Sequence, residues 1–423
     1  MNPETLDLAR LQFALTAGGH FLFVALTIGL ATLVACIQTS ATLSRNPVHQ
    51  RMTRFWGQLY VINYAVGIVT GLVMEFQFGL AWSGLTHQAG NVFGASLAME
   101  TLVAFFVEST FLGLWIFGWG RLNRWVHLGL IWGVTITAYA SAYWIMVSNG
   151  FLQNPVGYER VGDELRLTDS WAVLTNPSAT TAFWHILGGS LVTAGFFVAG
   201  ISAMHLFRRT AETELFTRSL RIGVFTALPA LFVTATAGGL QFAALDGVQP
   251  MKSAVFGRET GEIARLQAEQ VARFGAGDYV PPEAWTRVGG VVMLLAFALM
   301  LYLLLPSALL ALFRPVVRRF RLWHLLLVAA IPLPYIAMLA GWVFREMGRQ
   351  PWVINGVLLT RDAVSDVSPA AMRASLVAFT VLFGLLLVVN WALLLRQAGR
   401  APDQVALGRP EGETRPTPIT ASL

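Results

Sequence analysis

Nine stretches of about 20 mainly apolar residues constrain this chain more than any other feature: 15–38, 56–75, 94–118, 128–150, 181–206, 219–243, 288–313, 322–343 and 374–395. A helix of that length spans the hydrocarbon of a bilayer. Backbone in hydrocarbon must satisfy its own hydrogen bonds, which leaves helices or a closed barrel. Barrel strands alternate apolar and polar residues over about ten positions, and these stretches do not. The expected fold is all-α, a polytopic membrane bundle of about nine transmembrane helices. Composition agrees: 55% of the 423 residues are hydrophobic and 12% charged, about half the charge of a soluble domain. Ordinary soluble domains and a disordered chain are both excluded. A single cysteine, Cys36, rules out a disulfide framework, a Cys-rich metal site and a covalently attached c-type haem.

Loop charge orients the bundle. The segments 39–54, 119–127, 207–218 with Arg221, 314–321 and the tail from 396 carry 17 cations and five acids, a net +12. The opposite side is −4 and the span interiors −2, against a total of +6. The expectation is an outside N-terminus and a cytoplasmic C-terminus in a multi-pass membrane protein; the resemblance given below implies the bacterial cytoplasmic (inner) membrane. The basic balance then reflects topology, and a nucleic-acid partner is not expected. Leu33-Val34-Ala35-Cys36 faintly resembles a lipoprotein cleavage site. However, the leading segment holds Glu4 and Asp7 with only Arg10, not the positive region of a signal peptide. Residues 1–400 read as one transmembrane domain with an outer loop at about 244–287, in which 258–273 forms a surface helix. Residues 401–423 read as a disordered cytoplasmic tail.

Charged and ligand-type residues inside such a bundle are costly and default to function. Glu100 and Glu108 lie in one span, eight residues or about 12 Å apart, on one broad face. They suit a proton relay or, alternatively, a hydrogen-bonded structural pair. His49, His127, His205 and His324 sit at inner boundaries beside arginines and read as solvated interface histidines. His20 and His185 sit near the outer ends of apolar helices among glycines and aromatics, where a packed histidine and a haem ligand are both open. The outer end of the eighth span reads Arg345-Glu346-Met347-Gly348-Arg349, either a charged cap or the surroundings of an anionic cofactor. Every basic side chain but one is arginine; the exception is Lys252.

These residues sit in segments that together resemble subunit I of the cytochrome bd quinol oxidases. The segments are Arg10-Leu11-Gln12-Phe13-Ala14-Leu15-Thr16 before His20; Phe55-Trp56-Gly57; Thr70-Gly71-Leu72-Val73-Met74-Glu75-Phe76-Gln77-Phe78-Gly79; Glu100 with Phe105-Phe106 and Glu108-Ser109-Thr110-Phe111; Asn149-Gly150 with Gln153-Asn154-Pro155; Asn176-Pro177 with His185; and Gly348-Arg349-Gln350-Pro351-Trp352. The resemblance runs in order from residue 10 to about 352. It implies a terminal oxidase that takes electrons from quinol at the outer face and reduces dioxygen to water with cytoplasmic protons, generating a proton motive force without pumping. It implies three haems: a low-spin haem b, a high-spin haem b, and a haem d or third haem b. By position, His185 is an axial ligand of the low-spin haem, and His20 and Glu346 are ligands of the high-spin pair. Which of the two haems each takes is left open. Glu100 and Glu108 match the proton-leading acids, Arg349 lies beside the haems, and Gln249-Pro250-Met251-Lys252 matches the start of the quinol loop. A subunit II partner, small single-span subunits and membrane lipid are implied as well.

The chain departs from that pattern twice. The methionine paired with the low-spin haem's histidine is expected just inside the seventh span, and Met293 falls within about one residue of that place; a gap-filling core methionine is the alternative. The family's glutamate five residues after the lysine is Gly257 here, with Glu259 and Glu262 the nearest acids. That change motivates a second expectation, an electron-transfer haem protein with another donor or acceptor. A third, suggested by the acid pair alone, is a proton-coupled transporter.

Overall fold

The computed structural model describes residues 2–408. Among them, nine helices are long and apolar enough to cross a membrane. They are α1 (Pro3–Ser44), α2 (Pro47–Ala81), α3 (Ser83–Phe117), α4 (Arg124–Gln153), α5 (Pro177–Phe207), α6 (Thr213–Ala243), α7 (Glu283–Leu312), α8 (Arg321–Met347) and α9 (Pro369–Ala398). The all-α membrane bundle is thus the observed fold. Several starts are fixed by one local device, a side-chain cap followed by proline. Asn2, Asn46 and Asn176 accept hydrogen bonds from the amides of Glu4, Val48 and Ser178, and Ser368 from that of Ala371. Each is followed by a proline, whose missing N–H is not needed in the first turn.

α5 runs through the middle of the bundle, packed on α6, α1 and α4. Its contact with α6 is backbone on backbone. A Cβ at Gly195 would stand 2.7 Å from the Gly223 carbonyl oxygen, and one at Gly223 would stand 2.6 Å from that of Gly195. Small residues allow such approach where no hydrophobic driving force separates helix from lipid. α8 is broken into Arg321–Ala329 and Leu333–Met347, because Pro332 and Pro334 withhold amide donors.

The loops sorted by charge gather as two faces. On the arginine-rich face, Arg51 pairs with Glu212 at 3.1 Å and Arg318 with Glu214 at 2.8 Å, joining three loops. On the other face, Arg373 pairs with Glu4 at 2.8 Å, and the Asn355 amide donates to the Leu152 carbonyl at 3.0 Å. The largest apolar core, around Phe55, Trp56, Trp115, Phe216 and Leu220, fills the arginine-rich half. Three histidines expected to be solvated there are buried instead. His127, His205 and His324 are 7%, 7% and 1% exposed, and each donates Nε2–H to a carbonyl, of Trp115, Ala398 and Val317 respectively. These carbonyls lie at or near helix ends, where backbone acceptors lack helical partners, so the imidazoles are drawn inward.

The outer loop holds the helices Pro250–Gly257 and Thr260–Phe274, the second close to the surface helix expected at 258–273. Two hairpins were not expected: β1 (Tyr158–Val161) with β2 (Glu164–Leu167), and β3 (Trp352–Ile354) with β4 (Leu358–Leu359). Of the tail expected to be disordered, 401–408 packs on the bundle: Val405 and Leu407 are buried, and the Leu407 amide donates to Gln58. Residues 409–423 lie outside the described residues.

Candidate functional site

The half of the bundle away from the arginine-rich face is hollow. A cavity of about 1340 Å³ opens there, larger than the roughly 300–1,000 Å³ that hold a drug-sized ligand. His20, Glu100, Glu108, His185, Lys252, Met293, Glu346 and Arg349, singled out from the sequence, all border it.

Hydrogen bonding fixes the tautomer of both histidines. His185 Nδ1 lies 2.8 Å from the Thr234 carbonyl oxygen, which can only accept, so the proton is on Nδ1 and Nε2 carries the free lone pair. His20 Nδ1 lies 2.9 Å from Thr70 Oγ1, and that hydroxyl already donates to the Gly67 carbonyl at 2.7 Å. His20 must therefore also donate from Nδ1. Two rings on the cavity wall thus leave the Nε2 lone pair free, in the arrangement that orients histidine ligands.

Glycines make room for the ligand-type side chains. A Cβ at Gly71 would stand 3.3 Å from His20 Cε1, one at Gly238 3.1 Å from His185 Nδ1, and one at Gly341 2.8 Å from Met293 Sδ. Met293 is ten residues into α7, because the helix starts at Glu283, ahead of the apolar stretch at 288–313.

Around Glu346 the charges converge. Its Oε1 accepts from Asn149 at 3.0 Å and Gln153 at 3.1 Å, and its Oε2 from Arg349. A carboxylate has about four lone-pair sites, so one direction stays open. Arg345 donates to Asn149 and Gln241, each at 2.8 Å. Arg345 Nη2 and Arg349 Nε and Nη1 are buried with no hydrogen-bond partner among the described residues, and unpaired buried guanidinium N–H groups are costly enough to require an acceptor. Among the described residues no three His, Cys, Asp or Glu side chains converge on a point that would hold a bare metal ion. Haem brings its own four nitrogens, needs only one or two axial side chains, and carries propionates for the arginines. The residues fit that group.

The acid pair is nearer the middle of the bundle. Glu100 accepts from Ser141 at 2.6 Å and from Thr101 at 3.3 Å, and Thr101 also reaches Glu75 at 2.6 Å. Glu100–Phe105 forms a π-helical stretch, whose wider i→i+5 turn brings Glu108 round toward the face of Glu100. Glu108 is 6% exposed.

Lys252 is buried although it lies in a loop between two spans. It is 4% exposed and donates to Gln249 at 3.1 Å and to the Arg345 carbonyl at 3.0 Å. Burial, then Arg345 and Arg349 working against Glu346, bring its amine down to about 7. It also borders a second cavity, of about 190 Å³, with Gln249, Glu269, Arg273, Tyr279 and Trp352. Gly257 lies at the exposed end of the same helix, and a Cβ there would stand 2.9 Å from Glu259 Oε1. An acid therefore already occupies the space beside position 257.

Asn149, Gln153, Gln241, Thr70 and the Thr234 carbonyl were not singled out from the sequence. Neutral side chains and backbone groups give no charge or ligand signal; Asn149, Gln153 and Thr70 fell only within matched segments.

A family model described as cytochrome bd terminal oxidase subunit I matches residues 8–273 and 275–402. The chain is 35% identical to cytochrome bd ubiquinol oxidase subunit 1 of Bacillus subtilis (strain 168), over 94% of each chain. It is 30% identical to cytochrome bd-II ubiquinol oxidase subunit 1 of Escherichia coli (strain K12), over 96% of this chain and 99% of the relative. The solved bd oxidase from Geobacillus thermodenitrificans matches with a TM-score of 0.83 at 26% identity, over 94% of this chain and 99% of that one.

Proposed function

The chain belongs to the cytochrome bd terminal oxidase subunit I family, and from that premise we propose that it oxidises quinol at its outer face and reduces dioxygen to water with protons drawn from the cytoplasm. The supporting observation is the pair of imidazoles, His20 and His185, whose Nδ1 protons are already committed and whose rings border one large cavity. His185 and Met293 would hold a low-spin haem b. His20 and Glu346 would each hold one of the high-spin pair, a haem b and a haem d or third haem b. Arg345 and Arg349 would receive the propionates. Bound haem supplies the electron transfer and the reduction of dioxygen.

The chain's own groups do the rest. Lys252, poised near neutrality, takes a proton from quinol in the cavity it shares with Gln249, Tyr279 and Trp352, and that proton leaves at the outer face. Glu108 and Glu100 carry protons from the arginine-rich, cytoplasmic side toward the ligands. With ligands and quinol loop at one face and proton entry at the other, turnover charges the membrane without a pump. The setting is the bacterial cytoplasmic membrane, with a subunit II beside this chain and small single-span subunits around it. An electron-transfer protein with another donor was motivated by Gly257; Glu259 beside that position weakens the motive.

The test is spectral and kinetic together. Reduced-minus-oxidised and pyridine haemochrome spectra of the purified complex should show low-spin and high-spin b haem, with a d band if the third haem is d, together with quinol-driven oxygen uptake, and His185→Ala should remove the low-spin signal alone. No haem d band together with no quinol-driven uptake would leave only electron transfer.

A further inference from the structure

We infer that the hydroxyls of Tyr60 and Tyr64 hold ordered water against Glu108 and hand protons to its carboxyl from the arginine-rich side. This rests on the reading of Glu108 as a proton carrier and adds the groups that would reload it.

The two tyrosines lie one turn apart on α2, with ring centroids 5.7 Å apart. Tyr60 is 0% exposed and its hydroxyl has no hydrogen-bond partner among the described residues. Tyr64 borders the cavity, and its hydroxyl stands 3.3 Å from the Ser109 hydroxyl, next to Glu108 on α3. The Glu108 carboxyl borders the same cavity as Tyr64. Among the described residues it has no side-chain or backbone hydrogen bond of its own. A buried hydroxyl and a buried carboxyl on facing helices, both without a protein partner, are costly unless water joins them. A buried water needs about two to four polar partners. The hydroxyls of Tyr60, Tyr64 and Ser109 and the Glu108 carboxyl supply that number. Phenylalanine would fill the same volume at position 60 without an unmet polar group, so the hydroxyl contributes nothing to packing.

The geometry also gives a direction. α2 starts at the arginine-rich face, so Tyr60 precedes Tyr64 on the way in. α3 runs the opposite way, so Glu108 precedes Glu100 for a proton coming from that face. The order Tyr60, Tyr64, Glu108, Glu100 therefore leads away from the arginine-rich side and toward the cavity. Each hydroxyl releases one proton to the next oxygen and takes one from water behind it. Both phenols end neutral, and the net change is one proton added to the Glu108 carboxylate. Tyr60 and Tyr64 are positioning residues for water, not groups that touch the reacting dioxygen.

The experiment uses the assembled complex with Tyr60→Phe, Tyr64→Phe, Glu108→Gln and the double variant Tyr60→Phe with Glu108→Gln. Haem difference spectra confirm assembly, which removal of one unpartnered oxygen should not disturb. Quinol-driven oxygen uptake is compared in H2O and D2O. The infrared carboxyl band of Glu108 is identified as the one lost in Glu108→Gln. Tyr60→Phe should slow uptake several-fold, enlarge the D2O effect, shift the Glu108 band and add little in the Glu108→Gln background. Tyr64→Phe should act in the same direction. Wild-type rates with an unshifted band in both tyrosine variants would overturn the inference while leaving the Glu108 reading intact. Equal slowing by Tyr60→Phe with and without Glu108 would mark a packing effect and overturn it too. Wild-type turnover in Glu108→Gln would remove the carrier reading, and this inference with it.

Discussion

α5 and α6 meet so closely at His185 that residue 238 has no room for a side chain. A methyl group at Gly238 would stand 3.1 Å from both Cε1 and Nδ1 of His185, against an ordinary carbon contact of about 3.5–4.0 Å. In Gly238→Ala the ring must retreat from α6 by several tenths of an ångström. Thr234, one turn earlier on the same helix, holds Nδ1–H at 2.8 Å, so retreat lengthens that bond. Leaving the buried Nδ1–H unpaired costs about 1–3 kcal/mol, and overpacking costs a similar amount. Alanine returns about 1 kcal/mol through helix propensity, for a net loss of roughly 1–5 kcal/mol. The larger effect falls on the haem site proposed at His185, where loss of an orienting partner lowers affinity about 10–100-fold. The assay is the low-spin haem content of the purified complex by difference spectra, with thermal denaturation alongside. Gly384→Ala on α9, with nothing within 4 Å of its Cβ position, is the control for the propensity gain alone. Full low-spin content in Gly238→Ala, or an equal loss in Gly384→Ala, would refute the reasoning.

Two further outcomes follow from the same geometry. Thr70→Val removes the oxygen that fixes the His20 tautomer and should cut occupancy of the haem on His20 about 10–100-fold, whereas Thr70→Ser should keep it; equal haem content in both would show that the 2.9 Å contact does not orient the ring. Lys252 releases its proton near pH 7 when folded and near 10.5 when exposed, so the unfolded chain binds more protons between those values and wild-type stability should rise with pH there. Lys252→Met should lack that slope, its stability advantage being largest at or below pH 7 and fading toward pH 10; parallel thermal midpoints across that range would contradict the burial argument.

The nine spans were legible because length and hydropathy alone decide what hydrocarbon accepts. Their ends were not. α1 begins at Pro3 instead of residue 15, since the helix continues past the apolar stretch to an asparagine cap. The hairpin of β1 and β2 was missed although a signal was present: Gly162-Asp163 stands between Tyr158–Val161 and Glu164–Leu167 with Val161 paired to Glu164, and Gly162 takes a positive φ of 62°. At the site, Glu100, Glu108, His20 and His185 could be nominated from the cost of such groups in a membrane, whereas Met293 came from the family resemblance and Lys252 from being the one lysine. Whether Lys252 was buried, and that Asn149 and Gln153 hold Glu346, depended on segments far apart in sequence meeting in space. The family resemblance carried from residue 10 to about 352, and the family match now extends from residue 8 to 402.

The π-helical stretch at Glu100–Phe105 can be restated as arithmetic on chain length. An α-helix that absorbs one surplus residue into a wide turn behaves, beyond that turn, as though the residue were missing. Glu100 and Glu108 then relate as residues seven apart, about 20° from alignment and about 10.5 Å along the axis, not about 80° and 12 Å. Their alignment is thus a property of an insertion and not of either acid. Deleting one residue between Thr101 and Phe105 would restore a regular helix and the same relation. Deleting one elsewhere between the acids, with the wide turn kept, would swing Glu108 by about 100° with every side chain of the pair still present.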